Sequence, residues 1–109
     1  MGAPLEPARI FFAGTVASAP IVHSSAEGYV ALLRIKVDGP QELLEWVRAE
    51  GSLGQFVAET GFAEGDAVLV LGELCCLAVT DDDGQERTEC LTLAHRLTHD
   101  ESARWVDQP

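Results

Sequence analysis

Between positions 64 and 98, apolar and polar residues fall into two runs around a polar knot. Residues 66–79 are apolar and β-branched along most of their length and are bounded by Gly65, and residues 86–98 answer them with Leu91, Leu93 and Leu97 at period two. Between the runs lies Asp81-Asp82-Asp83-Gly84, where Gly84 supplies positive φ at little cost and the aspartates can bond the local backbone. The stretch therefore predicts one long β-hairpin. With its turn centred on Asp82 and Asp83, Val79 faces Glu86 and Cys75 faces Cys90, to within a residue or two.

The same reading of alternation, taken from the start of the chain, places a strand at 9–16, with Gly14 marking the bend or bulge that a small barrel needs in order to curl. Residues 17–28, with Pro20, Ser24, Ser25 and Gly28, read as a loop around a short extended piece at Ile21-Val22. A second strand spans 29–37: Val30, Leu32, Leu33, Ile35 and Val37 supply its apolar positions, while Arg34 and Lys36 point the other way. Asp38-Gly39-Pro40 ends it. Residues 43–49 suit a short helix or a third strand, and a barrel requires the strand. Residues 52–60 read as a helix with Ser52 as N-cap, Leu53, Phe56 and Val57 on one face, and Gly61 at the C-cap, placed to plug one end of a barrel. Residues 1–8, with Pro4 and Pro7, form a flexible lead, and 99–109, with Trp105, a charged tail. The domain is then 9–98. No internal repeat is present.

The order β-β-β-α-β-β in a chain this long predicts an all-β OB-fold, a five-stranded Greek-key barrel with one short helix between strands three and four. Particular residues carry the same expectation. Glu64-Gly65-Asp66, Val68-Leu69-Val70-Leu71-Gly72-Glu73-Leu74, Thr80-Asp81 and Gly84-Gln85-Glu86-Arg87-Thr88 resemble the hairpin of bacterial single-stranded DNA-binding proteins, in which a G-x-x-V-x-V-x-G-x-L strand leads to W-T-D-x-x-G-Q-x-R. Residues 9–16, with Pro20 and Ile21 after them, resemble that family's opening strand. The resemblance covers most of 8–98 and is most specific in the hairpin. It implies non-specific binding of single-stranded DNA across strands two and three and the hairpin. It further implies a homo-oligomer and roles in DNA replication, repair and recombination.

Composition changes this picture in one respect. At 109 residues and 47% hydrophobic the chain is of ordinary globular composition and one domain in size. No apolar run approaches the ~18–20 residues of a bilayer span, and no greasy leader follows the start, so a cytoplasmic protein without membrane partners is expected. The three cysteines form no CxxC pair. Cys75 and Cys90 could bridge if opposite, but reduced thiols are the expectation in that compartment. Charge is the exception: Asp and Glu number 18 against 7 Lys and Arg, a net charge of -11 whose field repels phosphate.

Candidate chemistry is correspondingly narrow. Single-strand binding needs aromatic platforms and a cationic groove. Tyr29 and Trp46 are the candidate platforms, although an aromatic in such a strand is more often a half-buried packing residue than a platform. Arg9, Arg34, Lys36, Arg48, Arg87 and Arg96 could gather on one side of a barrel, or stand as outward charges paired with nearby acids. Where the family has a loop Trp this chain has Val79, and if Trp46 matches the family's third-strand Trp, the next family aromatic falls near Glu50. Asp81-Asp82-Asp83 lacks the pattern of a calcium loop, and His95 and His99 stand about 13 Å apart if on a strand, so neither a metal nor another cofactor is expected. No nucleophile–base pair or phosphate loop supports an enzyme. The second function class is a degenerate OB-fold that has lost DNA binding and serves as a protein-interaction or oligomerisation module, its partner a DNA-binding relative or another replication or repair protein.

Overall fold

A computed structural model describes residues 8–101. Six strands and one helix follow in the order β1 (Ala8–Val16), β2 (Ile21–Ser25), β3 (Gly28–Val37), β4 (Leu43–Glu50), α1 (Gly51–Thr60), β5 (Ala67–Thr80) and β6 (Glu86–His99). The sheet order is β1-β5-β6-β4-β3-β2, with a further β1–β3 pairing. Five strands thus pair in a ring, and β2 lies outside it on the edge of β3. Two of the seams are short. β1 meets β3 through Gly14↔Val37, Thr15↔Lys36 and Val16↔Ile35, and β4 meets β6 in parallel through Val47↔Thr92 and Arg48↔Leu93.

Gly14 makes the first seam possible. It pairs with Val68 of β5 and with Val37 of β3, and a Cβ there would stand 2.5 Å from the Lys36 carbonyl oxygen and 2.6 Å from Ile35 Cγ2. The β1–β5 register runs through Gly14 without a bulge, so the glycine serves the close approach of two backbones in place of the expected bulge.

Inside the ring lie Phe12, Val16, Ala31, Leu33, Ile35, Val47, Ala49, Val57, Phe62, Val68, Val70, Ala94 and Leu97. Alternation along β3 sends Ala31, Leu33 and Ile35 inward and Leu32, Arg34 and Lys36 outward, so Leu32 shares the face of the cations and not that of Leu33. Thr92 is fully buried, and its hydroxyl has no hydrogen-bond partner. Glu45 lies opposite Ile35, two positions before buried Val47, and burial raises its carboxyl above the usual glutamate range.

Four expectations are corrected. The strand count is six because Ile21–Ser25, read as a loop, pairs with β3 as an edge strand; exposed along its whole length, it carries no buried alternation to signal it. The helix begins at Gly51 with Glu50 at its N-cap, leaving Ser52 inside the first turn. Val57 and Gly54 are its buried residues, Leu53 packs on the core, and Phe56 stays exposed, with its ring edge-on to Phe62 at 5.9 Å. Gly61 is the C-cap in left-handed conformation, as expected. The hairpin register is one residue off the predicted one: Val79 faces Arg87, and Cys90 faces Cys76.

The fourth correction concerns the leucines of β6. A bulge opposite Leu71 and Gly72 leaves His95 without a Cα partner between Ala94 and Arg96. One extra residue reverses the facing of a strand. Leu97 is therefore buried while Leu91 and Leu93 remain half-exposed, with Thr92 and Ala94 inward in their place. Of the expected lead and tail, residues 1–7 and 102–109, including Trp105, lie outside the described residues.

Candidate nucleic-acid interface

The strand registers place the outward side chains in rows. One row runs Arg9–Glu73–Leu93–Arg48–Leu32–Ile21 from β1 across to β2. One step further along the strands, Arg34 faces Trp46 and Cys75 faces Leu91; another step brings Leu77 opposite Glu89. Leu32, Trp46, Arg48, Cys75, Leu77, Glu89, Cys90 and Leu91 line one open groove. Its floor is apolar, one wall is β3–β4, and the other is the outer half of the β5–β6 hairpin, where Leu77 is 72% exposed.

Trp46 sits in this groove at 38% exposure, in reach of a ligand and not in the core. The Arg34 guanidinium carbon lies 5.0 Å from the centre of its ring. Such a contact contributes about 0.5–1 kcal/mol at an exposed site, whereas a nucleobase stacked on an aromatic contributes about 1–3 kcal/mol. Arg48 Nε is 2.6 Å from Glu50 Oε1 without the alignment of a hydrogen bond, so the contact is ionic. Arg48 also borders a second, polar depression with Ser25, Glu27, Gly28, Tyr29, Val30, Glu50 and Gly51.

Only part of the predicted set is brought together. Arg34, Trp46 and Arg48 are neighbours at the groove. Tyr29 is half-buried and, by alternation along β3, falls with Ala31 and Leu33 instead of with Arg34; it meets the others only through the depression that Arg48 borders. Lys36 stands at the rim in an ion pair with Glu42 at 3.2 Å. Arg87 lies out on the hairpin, held by Asp81 at 3.2 Å and Glu89 at 3.0 Å. Arg9 is three strands from Arg48, about 14 Å at ~4.8 Å per strand, and with Arg96 it belongs to the β1–β5 side, where Phe11 faces Leu71 and Leu71 faces Arg96. Among the described residues Arg9, Arg34 and Arg96 stand in no ion pair.

Other groups were missed by sequence reasoning. Leu32, Leu77, Leu91, Cys75 and Glu89 line the groove, and the register alone would have revealed them, since each shares strand parity with Arg34, Trp46 or Arg48. The hairpin also carries a disulfide between Cys76 and Cys90, with Cα atoms 4.1 Å apart, and Cys75 is the free thiol. This corrects the expectation of reduced thiols and of Cys75 opposite Cys90: with five residues, 81–85, in the turn, Cys90 moves one place to Cys76. His95 lies 3.4 Å from Glu73 and His99 3.1 Å from Asp66, so the two histidines serve different neighbours.

Ring, helix and hairpin together form a fold that three solved structures share. The crystal structure of the small single-stranded DNA-binding protein from Streptomyces coelicolor matches with a TM-score of 0.81 at 24% identity, covering 91% of this chain and 99% of that one. The mitochondrial single-stranded DNA-binding protein of S. cerevisiae matches with a TM-score of 0.72 at 16% identity, over 87% of this chain and 96% of that one. The second single-stranded DNA-binding protein of Mycobacterium smegmatis matches with 0.70 at 17% identity, over 90% and 93%. By sequence, no family model and no curated protein matches the chain.

Proposed function

We propose that this chain is an OB-fold, Greek-key barrel that binds single-stranded DNA without sequence preference, through the outer faces of β3 and β4 and the β5–β6 hairpin. The observation that carries the reading is Trp46, set open in an apolar groove between Arg34 and Arg48, on a fold shared with three proteins of that activity. Its role is binding and not catalysis. The groove is close to neutral, because Glu50 balances Arg48 while Asp81 and Glu89 both face Arg87. Affinity should therefore rest on stacking and apolar contact more than on charge. The barrel that has lost its nucleotide surface is the weaker reading, since an open indole remains at the groove.

The proposal extends to a homo-oligomer acting in replication, repair or recombination. Phe11, 66% exposed, and Leu71 form an apolar pair on the β1–β5 face beside Arg9 and Arg96. Those two cations suit a second copy of a chain whose net charge is -11. The test is fluorescence anisotropy of a labelled oligo-dT at low and at physiological ionic strength, about 0.15 M. Binding at low salt that weakens as salt rises is expected. Absence of binding at low salt refutes the reading.

A further inference from the structure

The cations near the groove differ in what holds them. Lys36, Arg48 and Arg87 each meet a carboxylate, whereas Arg34 stands in no ion pair among the described residues and rests on an indole. Arg34 and Trp46 are direct cross-strand partners, so their closeness is fixed by the β3–β4 register. Leu91, with Trp46 in the groove lining, lies towards the hairpin, and Arg34 lies on the opposite, β3 side of the indole.

We propose that Arg34 is a displaceable cover on Trp46. In the free protein its guanidinium occupies a face of the ring. On binding a single strand, a base takes that face and the guanidinium turns outward to a phosphate of the same strand. The exchange is downhill because a base stacked on an aromatic is the stronger contact, and because the released charge meets an anion in place of a neutral ring. Arg34 is thus a positioning residue with two partners used in alternation, one in each state. A cation already tied to a carboxylate could not do this without leaving that carboxylate unpaired. The inference rests on the single-stranded DNA reading and specifies how Trp46, the aromatic of the groove, is used.

The experiment compares W105F, in which Trp46 is the sole indole, with W105F carrying Arg34→Ala or Arg34→Lys. Two readouts are taken: oligo-dT affinity as a function of salt, and acrylamide quenching of Trp46 in free and bound protein. With Arg34→Ala the slope of log affinity against log salt should fall by about 0.7, one single-strand phosphate. The corresponding loss of affinity is about eightfold greater at ~0.05 M than at ~1 M salt, and the two lines converge or cross at the high end. Arg34→Lys should keep the slope. Quenching of free Trp46 should rise with Arg34→Ala and become equal to that of W105F once oligo-dT is bound.

An unchanged slope, or unchanged quenching in the free protein, overturns the cover while leaving DNA binding intact. Failure of W105F itself to bind at low salt overturns the DNA reading, and the cover falls with it.

Discussion

Replacing Cys76 and Cys90 together by serine removes a bridge that closes a loop across a sequence separation of 14. A loop of about 15 residues corresponds to roughly 3 kcal/mol of lost denatured-state entropy. For a domain of this size about 1 kcal/mol moves the melting temperature by about 4 °C, so the ceiling is a fall of about 12 °C. The structure lowers that figure. Both cysteines are exposed in the outer half of the hairpin, and the turn at 81–85 is already held by Gly84 N donating to the Asp81 carbonyl at 2.8 Å and Asp81 N to the Gln85 carbonyl at 2.9 Å. Part of the loss should therefore appear as local opening of the arms without global unfolding. Thermal melts of C76S/C90S should fall by about 4–12 °C, with reductant reproducing the shift in the parent and doing nothing to the variant. Hydrogen exchange should accelerate at 77–79 and 87–89 while Val68, Val70 and Leu97 stay protected. Three titratable thiols in the unreduced protein, or a variant melting within about 1 °C of the parent, refutes the reasoning.

Three further outcomes are expected. Val79→Trp, on the groove parity of Cys75 and Leu77, adds a platform and should tighten oligo-dT binding by about tenfold, a little over 1 kcal/mol; Arg87→Glu should weaken it only slightly, since Asp81 and Glu89 already neutralise that cation. An anisotropy titration with no gain from the tryptophan refutes the placement of the groove. Thr92→Val deletes a buried hydroxyl that lacks a partner and should raise the free energy of urea unfolding by about 1 kcal/mol, a loss of that size counting against it. Glu45 has its folded pKa raised by burial, so its stabilising protonated form is complete below the unfolded value of about 4.3 and is lost as pH rises through the folded value. Glu45→Gln should accordingly melt higher than the parent at pH 7 and equal to it near pH ~3.5; an equal difference at both pH values would exclude the titration.

What the sequence made legible were features written in local pattern. The hairpin, its turn at Gly84 and the C-cap at Gly61 follow from alternation and from positive-φ glycines at φ 80° and 74°, whereas the strand at 43–49 follows only from what a barrel requires. What stayed hidden depends on long-range pairing. The single-residue shift that joins Cys76 to Cys90 is decided by how many residues the turn takes. The bulge at His95 leaves no compositional mark, so Leu91, Leu93 and Leu97 read as one face. The edge strand at 21–25 buries nothing and so has no periodicity to read. Of the candidate site, Arg34, Trp46 and Arg48 were recoverable by strand parity on adjacent strands. Arg9 and Arg96 could not be separated from them without the sheet order β1-β5-β6-β4.

The bulge at His95 divides β6 into two lengths with different evolutionary freedom. Towards Leu97 the strand is answerable to the interior, where a change of volume disturbs the whole domain. Towards Leu91 only alternate residues face the groove: Leu91 and Leu93 can change with little effect on folding, whereas Thr92 and Ala94 between and beside them still belong to the interior. A lineage could retune the outer hairpin, or exchange it for another, while the barrel beneath remained untouched. A deletion at His95 would fuse the two lengths and end that independence.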